Sequence, residues 1–198
     1  SFYYNIDKKK DHKHDRIIFL FSNKKKLIYN DVRKFGFIKF FKNHNVFNNA
    51  HLSKLGPEPL EKNFNYIYFK KYIIGRNRSI KDILMDQKFL SGLGNIYTNE
   101  ILFLSKIKPT RKVNKLKIFE IKKLIKFTKR VLNSSIKFGG SSIKDFSSSN
   151  GKKGSFQQHF NVYGKKKESC SNVNCKSKIE KIVISNRATF YCPKCQKY

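Results

Sequence analysis

The spacing of apolar and polar residues along this chain changes at residues 55–60. Before that point, apolar residues crowd three short runs: RIIFLFS from residue 16, LIYND from residue 27 and FGFIKFF from residue 35. Runs of this length and composition predict β-strands separated by polar turns. The segment LGPEPL carries two prolines and one glycine, which interrupt regular structure. It therefore predicts a boundary between a β part and a helical part.

Beyond this boundary the apolar residues follow a helical spacing. In SIKDILMDQKFL the apolar positions 80, 83, 84 and 90 fit one helix, which SGLG ends. Asn95 begins a second helix that Pro109 terminates, and a longer amphipathic helix over about 114–138 stops at Gly139 and Gly140. The order of strands, helices and a final hairpin predicts an α+β fold.

All four cysteines lie near the end of the chain, at Cys170, Cys175, Cys192 and Cys195. Two thiol pairs separated by the length of a hairpin can close a tetrahedral zinc site, and four thiolates leave no open position for a catalytic water. Two disulfides are the alternative, which an intracellular chain disfavours. The intervening KIEKIVISNRATFY predicts two strands around a turn at Ser185 and Asn186. We expect one structural Zn²⁺.

The composition is strongly basic, with a formal net charge of +31. Such an excess favours a polyanionic partner, nucleic acid before membrane. All but seven of the 44 basic residues are lysine, and the abundance of lysine, asparagine and isoleucine also fits a genome that drifts toward A and T. The sequence has no apolar run of transmembrane length and does not open with a signal peptide. We therefore expect an intracellular protein without a membrane partner.

The helix–SGLGN–helix segment is a candidate phosphate site. Gly92 and Gly94 allow the backbone to approach another surface, and the first amides of the second helix carry the positive end of its dipole. An ordinary helical hairpin with a glycine turn is the alternative. The nearby basic residues Arg76, Arg78 and Lys81 favour the phosphate interpretation.

Six strings together resemble the bacterial formamidopyrimidine-DNA glycosylase family: NDVRKFG (30–36), LGPEPL (55–60), IKDILMDQKFLSGLGNIYTNEILF (80–103), GGSSIKDF (139–146), GKKGSFQQHFNVYG (151–164) and NRATFYCPKCQ (186–196). The resemblance implies a partial N-terminal β-sandwich over 1–54, a helix–two-turns–helix DNA-binding domain over 55–160 and a zinc-ribbon hairpin over 161–198. It implies excision of 8-oxoguanine and ring-opened purines from double-stranded DNA, then cleavage of the abasic strand by β- and δ-elimination.

The resemblance also implies roles for residues that enter or flank the DNA. Arg33 resembles the arginine that fills the gap left by the extruded base, and Phe35 resembles the aromatic wedge in the base stack. Both roles suit base flipping, in which side chains replace lost stacking and pairing. His14 resembles a histidine that contacts the DNA backbone, and Arg76 matches a basic DNA-contacting position.

Three further matches concern the phosphates around the lesion. Lys81 and Asn95 match residues that grip the phosphates flanking it. Arg187 resembles the arginine that binds the phosphate on its other side and assists the final elimination, and is the candidate catalytic residue. The segment around 145–155 corresponds to the loop that closes over an everted purine.

The chain departs from the family at the nucleophile. The family attacks C1′ of the sugar with an N-terminal proline, beside a glutamate acid, and forms a Schiff base. This sequence begins SFYYN and its first proline is Pro57. We therefore expect a partial sequence that does not itself excise bases, whereas the full-length protein is expected to do so.

Two alternatives stay open. One is a zinc-containing protein that binds damaged DNA without chemistry. The other is the endonuclease VIII branch, which shares the helical motif and the zinc hairpin but prefers oxidised pyrimidines; the strings DVRKFG and LGPEPL favour the purine branch. The resemblance further implies a monomer in the bacterial cytoplasm.

Overall fold

The structure, a computed structural model, describes residues 2–5, 13–41, 49–141 and 154–197. The chain forms two compact units, one comprising Ser1–Asn45 and Ser135–His159 and the other Val46–Ser134 and Phe160–Tyr198. The predicted α+β class is confirmed by a small N-terminal sheet, a helical region and a C-terminal β-hairpin. The predicted domain boundaries stay predictions. Within the described ranges, no helix is long and apolar enough to cross a bilayer.

The first unit contains a three-stranded antiparallel sheet. Its strands are β1 (Phe2–Asn5), β2 (Asp15–Leu20) and β3 (Lys26–Asn30), in the order β1-β3-β2. Ile28, at the centre of β3, is fully buried. Strands β2 and β3 confirm the first two of the three predicted runs, because their β-branched residues pair across a tight polar turn.

The third predicted strand, FGFIKFF at 35–41, is wrong. The described residues of this segment form no strand. The carboxylate of Asp31 instead accepts three backbone N–H groups, from Arg33 at 3.1 Å, Lys34 at 3.0 Å and Gly36 at 2.7 Å. These bonds, with that from Gly36 the strongest, lower the pKa of Asp31. A local turn therefore competes successfully with the strand that the apolar spacing predicted.

From residue 49 onward, the described residues form four α-helices: α1 (Tyr66–Ile73), α2 (Ile80–Leu84), α3 (Asn95–Ser105) and α4 (Ile118–Lys137). Polar side chains set where two of them begin. The side chain of Asn65 accepts the N–H of Tyr68 at 3.0 Å, and the hydroxyl of Ser79 accepts the N–H of Asp82 at 3.1 Å. These caps satisfy N–H groups that lack a partner inside the helix.

The helices differ from the sequence prediction at α1 and α2. Helix α1 was missed, although Asn65 and the buried Phe69 and Ile73 supply a cap and a helical spacing. Helix α2 ends at Leu84, and residues 85–90 form turns rather than two further helical turns. The cause is local, because the carboxylate of Asp86 accepts the N–H of Lys88 at 3.0 Å.

The second and third predicted helices are confirmed with small shifts. Helix α3 begins at Asn95, as predicted, and ends at Ser105; the next residue, Lys106, caps it in a left-handed conformation with φ 59°. Helix α4 begins at Ile118, and the preceding Val113–Lys115 form a short 3-10 helix. A second 3-10 helix covers Phe156–His159.

The hydrophobic core of the second unit attaches the C-terminal hairpin to α3. Its strands are β4 (Glu180–Ile184) and β5 (Arg187–Tyr191). Apolar side chains from α3, from the segment before the hairpin and from the hairpin itself pack into one cluster that contains Phe103, Val162, Ile179 and Phe190. Burial of such side chains stabilises by roughly 1.5–3 kcal/mol each.

A buried carboxylate completes this attachment. Glu100 is 2% exposed and lies on α3. Its two oxygens accept four N–H groups: the backbone and side-chain N–H of Asn161 at 2.8 and 2.9 Å, and the backbone N–H of Val162 at 3.0 Å and of Tyr163 at 2.9 Å. Each carboxylate oxygen of Glu100 accepts two hydrogen bonds. The buried negative charge is therefore compensated by these N–H donors.

We predict that Glu100→Gln lowers the free energy of unfolding by about 2–4 kcal/mol. The glutamine side chain has nearly the same shape, but its NH₂ group faces N–H donors and leaves them unpaired. Urea denaturation of the purified chain measures the loss. Glu168→Gln, at an exposed position, is the matched control and should change stability by less than about 0.5 kcal/mol. Equal stabilities of the two variants would contradict the role of Glu100.

Candidate nucleic-acid interface and metal centre

The four cysteine sulfurs form a compact cluster at the base of the β4–β5 hairpin. All four lie within 4.8 Å of one another. The sulfurs of Cys170 and Cys195 are 3.8 Å apart, and those of Cys175 and Cys192 are 3.7 Å apart. A tetrahedron with Zn–S bonds of about 2.3 Å has edges of about 3.8 Å, whereas a disulfide needs about 2.05 Å. The cluster therefore fits a structural zinc and excludes these two disulfides.

Backbone N–H groups donate to cysteine sulfurs of the cluster. The backbone N–H of Ser177 lowers the pKa of Cys175 to about 7, whereas burial opposes ionisation of Cys170 and raises its pKa to about 12. The backbone N–H of Cys195 donates to the sulfur of Cys192 at 3.4 Å. Such N–H groups stabilise thiolate, which is the form that binds zinc.

The turn of the hairpin places Arg187 at the start of β5. Strands β4 and β5 pair antiparallel, and the pair Ile184–Arg187 encloses the two-residue turn that the sequence predicted. Ser185 and Asn186 both have positive φ, of 47° and 60°. Two left-handed residues give the tight turn that suits the twist of paired strands. Arg187 is exposed, and the hydroxyl of Ser185 donates to the carboxylate of Asp82 at 2.8 Å.

Lys81 is buried against this hairpin. It is 1% exposed, and its Nζ donates to the hydroxyl of Thr189 at 2.5 Å and to the carbonyl oxygen of Ala188 at 3.2 Å. The hydroxyl of Thr189 donates in turn to the carbonyl of Arg187 at 3.1 Å. A chain of hydrogen bonds therefore connects the Lys81 ammonium to the backbone of Arg187.

Burial changes the acidity of Lys81. Desolvation lowers its pKa to about 8, the carboxylate of Asp82 opposes this shift, and the charge of Arg187 adds to it. Among the described residues, no carboxylate forms an ion pair with this ammonium. A buried ammonium that only neutral groups solvate is poorly compensated, and an anion would stabilise its charge.

Helix α3 contacts the same stretch of β5 through two asparagines. The side-chain amide of Asn95 donates to the carbonyl of Ala188 at 3.0 Å. Asn99 is fully buried; its oxygen accepts the N–H of Phe190 at 2.6 Å, and its amide donates to the carbonyl of Asn95 at 2.6 Å. The start of α3 and the start of β5 are thereby held together by hydrogen bonds.

Three of the predicted DNA-binding residues therefore meet at one place. Lys81 and Asn95 both donate to the carbonyl of Ala188, which adjoins Arg187. Sequence reasoning missed the connecting residues Thr189 and Asn99. No local signal marked Asn99, because the polar residues Thr98 and Glu100 flank it on α3.

The other predicted residues lie elsewhere. Arg76 is exposed and stacks on the ring of Tyr72 at 4.2 Å. His14, Arg33 and Phe35 belong to the first unit. Arg33 lies 5.8 Å from the ring centroid of Phe35, which is 82% exposed. The DNA-binding roles of these residues stay predictions.

The predicted loop around 145–155 lies largely outside the described residues. Its two flanks are described and are joined by backbone hydrogen bonds: the N–H of Ser155 donates to the carbonyl of Phe138 at 3.0 Å, and the N–H of Phe156 to that of Gly140 at 3.1 Å. A Cβ at Gly154 would lie 2.2 Å from the carbonyl oxygen of Gly140, so the two flanks require glycine to approach this closely.

Both parts of this site match known families. Residues 55–147 match the Formamidopyrimidine-DNA glycosylase H2TH domain, where H2TH denotes helix–two-turns–helix. Residues 173–197 match a zinc finger found in FPG and IleRS. Lys81 and Asn95 lie in the first match and Arg187 lies in the second.

Curated relatives cover nearly the whole chain. The formamidopyrimidine-DNA glycosylase of Bacillus cereus is 44% identical over 184 residues, which are 93% of this chain and 66% of the relative. That of Listeria monocytogenes serovar 1/2a is 40% identical over 185 residues, with shares of 93% and 67%. The chain spans about two thirds of the length of the curated relatives that it matches.

Solved structures of similar proteins contain damaged DNA. The complex between the Lactococcus lactis Fpg and an abasic site containing DNA superposes with a TM-score of 0.91 at 36% identity. MutM in complex with carbocyclic 8-oxo-G containing DNA superposes with a TM-score of 0.88 at 35% identity. Each comparison covers 100% of this chain and 71% of the other.

We predict that Cys192→Ser abolishes stoichiometric zinc binding, because a serine hydroxyl does not supply the thiolate that completes the tetrahedron. Zinc per chain is measured by atomic absorption after gel filtration. Lys194→Ala, an exposed change between the two ligands Cys192 and Cys195, should leave zinc content unchanged. Retention of one zinc per chain in Cys192→Ser would show that the four thiolates do not form the site.

Proposed function

This chain belongs to the formamidopyrimidine-DNA glycosylase family, and we propose that it forms the lesion-docking part of a DNA glycosylase and abasic-site lyase for oxidised purines. The observation that carries this proposal is the convergence of Lys81, Asn95 and Arg187 on one stretch of β5. An exposed guanidinium, with a buried ammonium and an amide hydrogen-bonded directly beside it, suits the oxygens of adjacent DNA phosphates.

The start of α3 adds to this phosphate site. Its N-cap is Gly94, which has no side chain to accept a first-turn N–H, and the first turn carries no acidic residue. A helix start of this kind favours an anion through its dipole and its N–H groups. The zinc cluster supports the site indirectly, since it fixes the hairpin that presents Arg187.

Relatives support the choice of damaged DNA as partner. The solved neighbours contain DNA with an abasic site or with 8-oxo-G. We propose that Arg33 and Phe35 enter the base stack and that His14 and Arg76 contact the DNA backbone. The high exposure of Phe35 and the position of Arg33 against its ring suit side chains that leave water to stack on bases.

Borohydride trapping tests the chemistry. A form of this protein that opens with the N-terminal proline of the family should give a covalent adduct with duplex DNA carrying 8-oxoguanine, because the Schiff base is reduced to a stable amine. Adduct with thymine glycol DNA instead would favour the endonuclease VIII alternative. Duplex binding without any adduct would favour the protein that binds damage without chemistry.

Arg187→Ala should weaken binding of the chain to duplex DNA with an abasic-site analogue by about tenfold, since one phosphate contact is lost. The slope of log K against log salt concentration is negative, and its magnitude should decrease by about one. Fluorescence anisotropy at several salt concentrations measures both. Arg130→Ala, at an exposed position on α4, removes the same charge and should have a smaller effect. Equal effects of the two substitutions would contradict the assignment, whereas the thermal stability of both variants should be unchanged.

DNA binding should also depend on pH through Lys81. With a pKa of about 8 in the free protein, Lys81 is protonated at pH 7 and largely neutral above pH 9. Phosphate favours the ammonium, so binding above pH 8 requires uptake of one proton, and affinity should fall by up to about tenfold for each further pH unit. Lys81→Met should bind more weakly at pH 7 and lose this dependence.

The exposed Lys88→Met is the matched control for this titration. It should keep the pH dependence of the unsubstituted chain. A pH profile of Lys81→Met that follows the unsubstituted chain would show that another group is responsible.

A further inference from the structure

A surface groove lies between α1 and the start of α4. The end of α1 and the segment 113–121 form the walls of a cavity in this groove. The cavity has a volume of about 310 Å³. The apolar lining consists of Ile73, Ile74, Val113, Leu116, Ile118 and Ile121. We call this surface the α1–α4 groove. None of its residues takes part in the hydrogen bonds that connect Lys81, Asn95 and the hairpin.

Large apolar side chains at the groove are unusually exposed. Ile74 is 71% exposed and Ile118 is 57% exposed, although both line the cavity. Ile67, seven residues before Ile74, is 76% exposed, and Phe119 is 55% exposed. Clusters of exposed large apolar residues beside a cavity are typical of binding surfaces.

The rim of the groove is cationic. Lys70 lines it on the α1 side. A second cavity of about 680 Å³ adjoins the same segment, and Lys112, Lys115 and Lys117 line it together with Phe119. Lysines therefore flank the apolar lining on the α1 side and along the segment 112–117.

The carboxylate at the rim, Glu120, already accepts hydrogen bonds from neighbouring groups. Glu120 is 8% exposed; it accepts the guanidinium of Arg111 at 2.9 Å and the backbone N–H of Lys117 at 2.7 Å. Arg111 also donates to the carbonyl of Lys115 at 2.8 Å. These bonds hold the rim in place, and they leave the lysine charges without compensation from Glu120.

We propose that the α1–α4 groove binds an acidic, amphipathic peptide segment of a partner protein. Acidic side chains complement the lysine rim, and apolar side chains fill the cavity that Ile74 and Ile118 leave open. A second copy of this chain suits the groove poorly, because a net charge of +31 would oppose another lysine-rich surface. The phosphates of duplex DNA would pair with the lysines. The DNA backbone, however, has no apolar groups that could pack against the isoleucines.

A designed peptide tests the proposal. The probe is a fluorescein-labelled peptide of about 15 residues, with Leu and Phe at spacings i, i+3, i+4 and i+7 and with Glu and Asp elsewhere. A scrambled peptide of the same composition is the first control. Anisotropy with the zinc-loaded chain at about 0.15 M salt limits attraction by bulk charge alone. The ordered peptide should bind at least about tenfold more tightly than the scrambled peptide.

Paired variants locate the binding. The double substitution Ile74→Ser and Ile118→Ser should weaken peptide binding by at least about tenfold. The matched pair Val173→Ser and Val183→Ser, at positions that are 88% and 68% exposed, should change it less than about twofold. Lys115→Gln with Lys117→Gln should likewise weaken binding more than Lys166→Gln with Lys176→Gln, which removes the same charge at exposed positions.

The outcomes that overturn the proposal are distinct. Equal binding of the ordered and scrambled peptides, or no effect of the Ile74 and Ile118 substitutions, would show attraction by net charge only. A parallel loss of duplex DNA affinity in the isoleucine variant would assign the groove to nucleic acid. Self-association of the chain that these substitutions abolish would assign it to a second copy.

Discussion

The attachment of the C-terminal hairpin depends on polar groups that are buried on α3. Glu100 receives the segment before the hairpin through four N–H groups, and Asn99 receives the N–H of Phe190 in β5. Each of these groups would be costly to bury alone, and each is compensated only when the hairpin occupies this one position. Hydrophobic packing supplies the stability of the joint, whereas the hydrogen bonds select its geometry.

That geometry explains how a buried lysine can belong to the DNA-binding site proposed above. Neutral groups of the hairpin solvate the ammonium of Lys81, and burial lowers its pKa to about 8. The protein thereby holds a cation in an environment that favours its neutral form, next to a second cation, Arg187. In the proposed complex a phosphate would reduce the repulsion between these two cations, so part of the proposed affinity for DNA would be established during folding.

Features with a specific local chemistry were predictable from the sequence. The cysteine spacing gave the zinc cluster, Ser185 and Asn186 gave the turn, and Asn95 gave the start of α3. Predictions from apolar spacing alone were weaker. The run at 35–41 is not a strand, because Asp31 captures the N–H groups of the turn before it.

Contacts between distant residues could not be read from the sequence. Thr189 and Lys81 are 108 positions apart, and nothing in either local pattern shows that a hydroxyl on the hairpin will receive that ammonium. The same holds for Glu100, whose charge would ordinarily predict an exposed position on its helix. Only folding of the second unit brings Lys81 and Glu100 next to their hydrogen-bond partners.

The length of β5 sets the distance between Arg187 and the metal cluster. Four residues of β5 lie between Arg187 at the turn and the metal ligand Cys192, a span of about 16 Å in an extended strand. Because side chains alternate between the two faces of a strand, an insertion of one residue would turn Phe190 away from α3 or change the distance between Arg187 and the metal cluster. The length of this strand is therefore more tightly constrained than the identity of its exposed residues.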